Sequence, residues 1–419
     1  MSLLLSGGYV YQGGSFFEAD ILIEGGIISK IEPHLPTNRS KTIALYNFYI
    51  VPGFADAHVH LREPGFSYKE TVRTGTTAAA SAGYTAVCTM PNLNPVPDSP
   101  ENLNVQTDII EKDAAIAVYP YASITKGQKG EELVDFSALH DKVIAFSDDG
   151  KGVQSAELME KAMTEAAKYG CIIAAHCEDN SLLNGGYIHD GKYARAHGHK
   201  GIPSESEYRQ LKRDLALAKK TGCRYHVCHV SAKESVELIR KAKAEGVRVT
   251  AETAPHYLVL CEDDLQEDGR FKMNPPLRSA ADRDALIEGI QDGTIDIIAT
   301  DHAPHAAEEK AKGLAGSLMG VVGLETAFPV LYTKLVKTGV IPLEKLIALM
   351  SDGPRRIFGI GGGLAEGESA DFAVLDLGRR YTIDPADFLS KGKSSPFAGM
   401  EVFGKNVMTF YKGKKIWQE

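Results

Sequence analysis

The sequence has little of several features that would assign it to a specialised class. Its 419 residues include six cysteines, none in a C-x-x-C pair, so a disulfide framework is excluded. There is no run of 18 apolar residues and no basic-then-apolar start, which predicts neither a membrane helix nor a secretory signal. A net charge of −9 provides no global field for nucleic acid or an anionic membrane. We therefore expect a cytoplasmic protein without nucleic-acid or membrane partners.

The rest of the composition is that of an ordinary globular protein. Hydrophobic residues make up 43% of the chain and charged residues 24%. An α/β barrel commonly spans about 200–250 residues as one domain, so this length suits one large domain with a smaller companion. The thirteen histidines are an ordinary number, and their positions matter more than their count.

The middle of the chain shows the alternation of strands and helices that is typical of βα units. From about Pro52, short apolar runs alternate with stretches of helical periodicity such as 155–170 and 231–246, each opening on a serine that predicts a helix cap. Eight apolar runs fit strands: 53–61, 85–91, 115–124, 142–150, 171–179, 224–231, 247–253 and 295–305. This pattern predicts an α/β fold with a TIM-type (β/α)8 barrel over residues 52–361. An open, doubly wound sheet is the alternative that the pattern leaves open.

The two ends of the chain resemble each other and differ from the middle. Residues 1–51 alternate apolar and polar positions, with Gly-Gly pairs between them, and β-type runs return after about Gly361. Neither end is long enough for a good core by itself. We therefore predict one small β-sandwich domain built from residues 1–51 and 362–419 together.

Side chains that bind metals stand at the ends of five of the eight predicted strands. They are His58 and His60, Asp148 and Asp149, His176, His226 and His229, and Asp301 and His302. Because strand ends meet at one face of a barrel, we expect these side chains to lie together. Alternation along a strand favours Asp149 over Asp148, and His229 over His226.

The six selected residues predict a metal centre. They are His58, His60, Asp149, His176, His229 and Asp301. Four imidazoles and two carboxylates suit Zn²⁺ or a similar divalent ion. One catalytic zinc usually takes about three protein ligands, so six ligands predict two metals that share a bridging group. Such a pair activates a water molecule as a nucleophile at neutral pH.

Seven segments carry a resemblance to a known family. They are DAHVHLREPG (56–65), MPN (90–92), SDDGKGVQ (147–154), AHCED (175–179), HVCHVSAKES (226–235), KMNPPLR (272–278) and ATDHAPH (299–305). In these segments and along its whole length, the chain resembles the type I bacterial dihydroorotases of the amidohydrolase superfamily. The resemblance implies the zinc-dependent, reversible cyclisation of N-carbamoyl-L-aspartate to (S)-dihydroorotate, with release of water, in pyrimidine biosynthesis.

The resemblance also implies a role for each metal ligand. His58 and His60 would hold one zinc with Asp301, while His176 and His229 would hold a second. Asp149 would bridge the two, in place of the carboxylated lysine that many superfamily members use. In the hydrolytic direction a hydroxide held by the metals would attack the ring carbonyl. Asp301 would be the catalytic residue that takes its proton and passes it to the departing nitrogen.

The same resemblance implies six substrate contacts. They are Arg62, Asn92, Asn274, His305, Met319 and Gly320. A guanidinium suits the substrate carboxylate, and the last two residues would contribute backbone groups. Residues 305–323 are small and polar with four glycines, which predicts a mobile loop able to cover the site. Relatives often have Phe where this chain has Met319.

Other features carry weaker predictions. His189, His197 and His199 lie in a Gly- and Lys-rich stretch that favours a solvated loop over a second metal site. Cys177 and Cys228 are predicted to be buried packing residues that face away from the barrel mouth.

Rival functions also stay open at this point. Other cyclic-amide hydrolases such as dihydropyrimidinase or allantoinase are one alternative, although they normally carry the lysine that this chain lacks. A non-catalytic partner of aspartate transcarbamoylase is the other. A homodimer and an association of the active enzyme with aspartate transcarbamoylase are also left open.

Overall fold

A computed structural model describes residues 2–36 and 41–419 and contains strands and helices in the predicted alternation. The strands are β1 (Ser2–Gln12), β2 (Ser15–Glu24), β3 (Ile27–Glu32), β4 (Lys41–Ala44), β5 (Tyr49–Pro52), β6 (Phe54–Val59), β7 (Tyr84–Thr89), β8 (Ala117–Pro120), β9 (Ile172–Ala175), β10 (Ile188–His189), β11 (Gly201–Ile202), β12 (Arg224–Val227), β13 (Val249–Thr253), β14 (Ile297–Ile298), β15 (Phe372–Thr382), β16 (Glu401–Tyr411) and β17 (Lys414–Gln418). The helices are α1 (Val72–Ser81), α2 (Pro100–Asp113), α3 (Phe136–Leu139), α4 (Ala156–Lys168), α5 (Lys192–His197), α6 (Glu205–Thr221), α7 (Lys233–Ala244), α8 (Pro255–Val259), α9 (Ala280–Asp292), α10 (Ala307–Lys310), α11 (Gly313–Gly316), α12 (Ala327–Leu331), α13 (Leu343–Ile347) and α14 (Gly353–Phe358).

The parallel strands of the middle region close into a barrel. β6, β7 and β8 pair in one run, and β9, β12, β13 and β14 pair in another. Phe146 joins the two runs by bridging to Ala122 on one side and Ile173 on the other. His302, just beyond β14, pairs with Val59 at the end of β6 and closes the circle. The predicted (β/α)8 barrel is therefore confirmed, and the open, doubly wound alternative is wrong.

The fourth barrel segment is shorter than the sequence predicts. The predicted run spans 142–150, but its backbone hydrogen bonds to the neighbouring strands extend only from Ile144 to Ser147. At the centre, Phe146 hydrogen-bonds with Ile172 and Ala174. The chain turns away directly afterwards because the Asp148 carboxylate accepts hydrogen bonds from the backbone nitrogens of Ile124 and Thr125 at 2.8 and 3.1 Å. The end of this strand is therefore set by side-chain contacts of Asp148 with a distant segment of the chain.

The helix caps agree with the sequence in one case and differ in another. Ser155 caps α4 as predicted, with its side chain accepting a hydrogen bond from the Leu158 nitrogen. Ser231 does not cap α7, because its hydroxyl hydrogen-bonds with Glu207 and accepts a hydrogen bond from Arg278 Nε at 2.7 Å. The serine before this amphipathic run therefore wrongly predicted a helix cap. The buried carboxylate of Glu207 engages the Ser231 hydroxyl instead.

Both ends of the chain combine into one β domain, as predicted. Its sheet has the strand order β17-β16-β15-β5-β1-β2-β3, with β4 paired to β1. The junction is β15, which runs antiparallel to β5 from the N-terminal part and to β16 from the C-terminal part. Alternate apolar side chains fill its core, among them Leu5, Val10, Ile21, Phe372 and Phe410. In the described part of the chain, no helix is a candidate for a membrane span.

Candidate active site

The six residues predicted to bind metal meet at the mouth of the barrel. All are buried, with exposed fractions of 0–7%: His58, His60, Asp149, His176, His229 and Asp301. They come from the ends of β6, β9, β12 and β14 and from the segment after Phe146. His229 and Asp301 both have positive φ angles, of 33° and 47°, because the backbone turns sharply where each strand ends.

Four of these side chains make up what we call the first group: His58, His60, Asp149 and Asp301. His58 Nε2 lies 3.4 Å from Asp149 Oδ1 and 3.5 Å from Asp301 Oδ1. His60 Nε2 lies 3.2 Å from Asp301 Oδ1 and 3.6 Å from Asp149 Oδ2. Both imidazoles therefore turn their Nε2 atoms toward the same pair of carboxylates.

The second group consists of His176, His229 and the same Asp149. His176 Nδ1 lies 2.9 Å from His229 Nε2, and these two nitrogens lie 3.9 and 3.7 Å from Asp149 Oδ1. Potential ligand atoms of His58, His60 and Asp149 lie within 4.8 Å of one another, as do those of Asp149, His176 and His229. Asp149 is thus common to both groups.

The electrostatics of the two groups favour ionised carboxylates. Burial would raise the pKa of the Asp149 carboxyl, but His58 and His229 outweigh it and hold that pKa well below its ordinary value. Burial likewise opposes the effect of His58 and His60 on Asp301, whose pKa falls to about 2. Two buried carboxylates that stay charged at neutral pH can compensate the charge of divalent cations.

The donor set fits a metal of the zinc type. His58 Nε2 and Asp149 Oδ1 are buried and face each other, yet neither has a hydrogen-bond partner. Buried polar atoms normally find a partner, and a cation between these two would satisfy both. Imidazole nitrogens and carboxylate oxygens are the ligands that zinc and similar divalent ions take.

Asp148 and His226, which alternation along the strands disfavours as metal ligands, make structural contacts instead. Asp148 accepts the backbone hydrogen bonds that turn the chain after Phe146. His226 places Nδ1 2.8 Å from Thr250 Oγ1 and Nε2 3.1 Å from Glu252 Oε2, inside the barrel. Strand alternation was the wrong reason for preferring His229 to His226. β12 ends at Val227, and the turn that follows directs the His229 side chain.

All six predicted substrate residues line one cavity beside the predicted metal ligands. The cavity has a volume of about 230 Å³ and is also lined by His60, Asp149, His176, His229 and Asp301. The six are Arg62, Asn92, Asn274, His305, Met319 and Gly320. This volume suits a small molecule.

The polar side chains of the cavity wall are held by their neighbours. Arg62 Nε donates to the Pro304 carbonyl at 3.2 Å. Asn92 Nδ2 donates to the Asp149 carbonyl at 2.7 Å, and Asn274 Nδ2 donates to Glu178 Oε1 at 3.0 Å. In both asparagines the buried Oδ1 atom has no hydrogen-bond partner, so each amide presents a spare acceptor.

The loop after the eighth strand reaches the cavity through its last residues. Residues 305–323 contain the short helices α10 and α11, and His305 Nε2 lies 2.8 Å from the Met319 carbonyl. Gly320 has a φ of 136°, and a Cβ there would lie 2.7 Å from the Ala303 carbonyl oxygen. Glycine is thus required for this close approach, while the mobility of the loop stays a prediction.

Two carboxylates at the site were missed by the sequence analysis. Glu252 Oε1 lies 2.6 Å from His58 Nδ1, and its other oxygen lies 3.1 Å from His226 Nε2. Glu178 Oε2 lies 3.5 Å from His176 Nε2. The signals were an acid at the end of the predicted strand 247–253 for Glu252, and an acid two residues after a predicted ligand for Glu178.

Two predictions on neighbouring residues need correction. The stretch is largely exposed as predicted, His197 included, but the His199 side chain is only 12% exposed. Its Nε2 lies 2.8 Å from Glu267 Oε1 and its Nδ1 lies 2.8 Å from Tyr187 Oη. Cys228 is buried as predicted, but its sulfur lies within 4.8 Å of potential ligand atoms of His58 and Glu252 and so adjoins the site. Sequence patterns did not reveal either tertiary contact.

Comparison with known sequences identifies close relatives of the chain. A family model described as Dihydro-orotase-like matches residues 48–235. A dihydroorotase of Bacillus cytotoxicus is 50% identical over 420 aligned residues, covering 100% of this chain and 98% of the relative. A dihydroorotase of Geobacillus kaustophilus is 52% identical over 413 residues, covering 97% of this chain and 96% of the relative.

Solved structures with the same fold come from other enzymes. The L-hydantoinase (dihydropyrimidinase) of Arthrobacter aurescens has a TM-score of 0.90 and 27% identity, with 99% of this chain and 96% of that one covered. The dihydropyrimidinase of Brevibacillus agri has a TM-score of 0.87 and 23% identity, with 100% and 95% covered. At that lower identity the likeness supports the fold alone.

Proposed function

The chain belongs to the dihydroorotase family, and on that premise we propose that it is a dihydroorotase. The reaction is the reversible cyclisation of N-carbamoyl-L-aspartate to (S)-dihydroorotate with release of water, a step of pyrimidine biosynthesis. The observation that carries the proposal is the single cavity in which Arg62 lies beside the two groups that share Asp149. Such a cavity can bind an anionic substrate next to paired metal ligands.

The proposed cofactor is zinc, with two ions per chain. His58, His60 and Asp301 would hold one, His176 and His229 would hold the other, and Asp149 would serve both. Bound there, such ions supply Lewis-acid polarisation of a carbonyl and lower the pKa of water. The support is the sharing of Asp149 by two sets of donors and the unpaired buried atoms at His58 and Asp149.

Asp301 is the proposed general base and acid. Its low pKa means that it enters the hydrolytic reaction ionised and can accept a proton from the attacking water. It then returns that proton to the departing ring nitrogen, and the steps run in reverse when the ring closes. Its position in the cavity wall, 3.2 Å from His60 Nε2, supports this assignment.

The other residues of the cavity wall would bind and orient the substrate. The Arg62 guanidinium is oriented through Nε and suits two-point recognition of the substrate carboxylate. The spare Oδ1 acceptors of Asn92 and Asn274 suit N–H groups of the ring. His305 and the backbone of Met319 and Gly320 would complete the wall.

A hydrolase for uncharged cyclic amides is the rival, since the structural neighbours include dihydropyrimidinases. Two features of this chain speak against it. Arg62 places a cation in the cavity, where dihydrouracil has no carboxylate to receive it. The bridging position is occupied by Asp149, whereas the lysine that cyclic-amide hydrolases normally carry there is absent.

The proposal is tested by comparing hydrolysis of dihydroorotate, dihydrouracil and allantoin by one preparation, before and after chelation. We expect turnover of dihydroorotate, little turnover of the other two, loss of activity on chelation and recovery on adding zinc. Preferential hydrolysis of dihydrouracil or allantoin would identify the rival activity. Unchanged activity in the presence of chelator would contradict the proposed metal centre.

Several predictions from the sequence extend the proposal. The cytoplasm is the proposed location, because the proposed substrate belongs to central metabolism. The proposed domain boundaries remain 1–51 with 362–419, and 52–361, supported by β6 beginning at Phe54 and β15 at Phe372. A homodimer and an association with aspartate transcarbamoylase stay predictions.

A further inference from the structure

Lys69 has an unusual position for a lysine next to an active-site cavity. It lies in the loop between β6 and α1, and only 11% of its side chain is exposed. Its Nζ lies 3.2 Å from His305 Nδ1 and 3.1 Å from Glu309 Oε1. The rings of Phe66 and Tyr68 lie 5.8 and 5.5 Å from the same ammonium group. The ammonium is thus enclosed on several sides and directed at one imidazole nitrogen.

The contact with Lys69 determines where His305 carries its proton. An ammonium group has three donors and no acceptor, so the nitrogen that faces it must accept. His305 Nδ1 is therefore unprotonated, and the proton lies on Nε2, which donates to the Met319 carbonyl at 2.8 Å. The competing arrangement would protonate Nδ1 toward Glu309 Oε2, which is 3.4 Å away and already neighbours Lys69.

The surroundings of His305 also keep it neutral. Burial, together with the positive charges of Arg62 and Lys69, lowers the pKa of His305 to about 3. At neutral pH only the two uncharged tautomers therefore compete, and the Lys69 ammonium favours the one with Nε2 protonated.

This proton position affects the part of the loop that lines the cavity. Gly320 packs so closely against His305 that a Cβ on Gly320 would lie 3.0 Å from His305 Nε2. The Gly320 backbone nitrogen donates to the Lys272 carbonyl at 3.0 Å. In the other tautomer the lone pair of Nε2 would face the lone pairs of the Met319 carbonyl. That repulsion would move Met319 and Gly320 away from their present places in the wall.

We propose that Lys69 is a positioning residue that holds His305 as its Nε2–H tautomer and thereby keeps the Met319–Gly320 backbone in the wall of the cavity. The consequence for substrate binding rests on the proposed function, because it assumes that substrate contacts this wall. Lys69 itself is not among the residues that line the cavity beside the predicted metal ligands, so it acts through His305.

The tautomer is measured directly by ¹⁵N NMR of histidine-labelled, metal-loaded protein, with His305 assigned from a His305→Asn spectrum. We expect a neutral imidazole with Nε2 protonated in the wild type and in Lys69→Arg, which retains a cationic donor. In Lys69→Met, which removes the donor at similar length, we expect a substantial population of the Nδ1–H tautomer. Lys151→Met is the matched control, since it removes an exposed cation that lines the same neighbouring cleft as Lys69.

Steady-state kinetics distinguish a positioning role of Lys69 from a general loss of structure. For Lys69→Met we expect KM for dihydroorotate to rise about tenfold, as when a buried acceptor loses its donor, while kcat changes much less. Lys69→Arg and Lys151→Met should remain close to the wild type.

Three results would overturn the proposal. They are a wild-type His305 with Nδ1 protonated, nitrogen signals of His305 that are the same in Lys69→Met as in the wild type, and an equal rise of KM in Lys151→Met. If Lys69→Met does not fold, the wild-type and Lys69→Arg spectra still decide the tautomer. If dihydroorotate is not a substrate, the spectra also remain valid, so failure of the proposed function is distinguishable.

Discussion

The first and second groups share Asp149 but differ in how their histidines are held. His58 of the first group has its Nδ1 atom 2.6 Å from Glu252, a carboxylate that is 1% exposed and also contacts His226 inside the barrel. Burial opposes the ionisation of Glu252, but His58 and His226 hold its pKa well below the ordinary value. The ring of His58 is therefore oriented by the barrel interior itself.

His176 of the second group is held at the rim of the barrel. Its Nε2 atom lies 3.5 Å from Glu178, and Glu178 also accepts a hydrogen bond from Asn274 in the cavity wall. One carboxylate thus orients both a metal ligand and a proposed substrate contact. A carboxylate that hydrogen-bonds to the outer nitrogen of a ligating histidine strengthens metal binding, and the Glu252–His58 contact of 2.6 Å is shorter than the Glu178–His176 contact of 3.5 Å. We therefore expect the first group to bind its cation more tightly than the second.

The largest effect is expected when the proposed general base and acid, Asp301 of the first group, is replaced. Asp301→Asn should lower kcat by about 10³-fold or more, because the amide cannot accept the proton from water. Steady-state kinetics with metal analysis of the same preparation would measure it. Near-normal turnover with metal bound would show that another group carries the proton.

The difference between the groups is tested next at Glu252. Glu252→Gln removes the ionised partner of His58 and should weaken one of the two cation sites by about 10–100-fold. Competition with a chromophoric chelator measures the two affinities, and Glu237→Gln on the exposed face of α7 is the control. An equal loss of affinity at both cation sites would mean that Glu252 stabilises the whole barrel mouth and does not act on His58 alone.

A smaller effect, on both metal affinity and KM, is expected when Glu178 is replaced. Glu178→Gln should weaken the other cation site by about tenfold and raise KM as well, since Asn274 loses an ionised partner. The same chelator competition and a substrate titration measure both effects. A change in metal affinity without a change in KM would break the proposed link between the second group and the cavity wall.

The smallest effect concerns the stability of the protein near the second group. His256 is buried, and burial lowers its pKa to about 4, against a small opposing effect of Asp301. The unfolded chain binds a proton at His256 near pH 6.5 and the folded chain only near pH 4, so the free energy of unfolding should fall as the pH drops between these values.

Denaturant unfolding of chelated protein at pH 7 and pH 4.5 measures this dependence without a contribution from metal loss. The wild type should lose about 2 kcal/mol more than His256→Phe between these two pH values. Parallel losses in the two proteins would show that His256 does not contribute to the pH dependence.

The sequence predicted the barrel because alternating buried strands and amphipathic helices leave a repetitive pattern. It overestimated the fourth strand because the side-chain contacts of Asp148, which end the pairing just after Phe146, depend on the distant backbone of Ile124 and Thr125. The contribution of both chain ends to one β domain was predictable from composition, but the pairing of β15 with β5 depends on contacts that no local pattern contains.

At the site, the sequence predicted which side chains lie at the strand ends, but it did not reveal the carboxylates that orient them. His58 and Asp149 were found because metal ligands cluster at strand ends in a barrel. Glu252 was missed because its role depends on a ring that is 194 residues away in the chain. The choice of His229 over His226 came from alternation along a strand that the structure ends two residues earlier.

In the proposed dihydroorotase, two cations share Asp149. The most direct test of this sharing is to titrate chelated protein with zinc while measuring dihydroorotate hydrolysis. We expect no activity at the start and a plateau at about two equivalents per chain, as for a two-metal site. Activity in the absence of metal, or no hydrolysis of dihydroorotate when about two equivalents are bound, would contradict it.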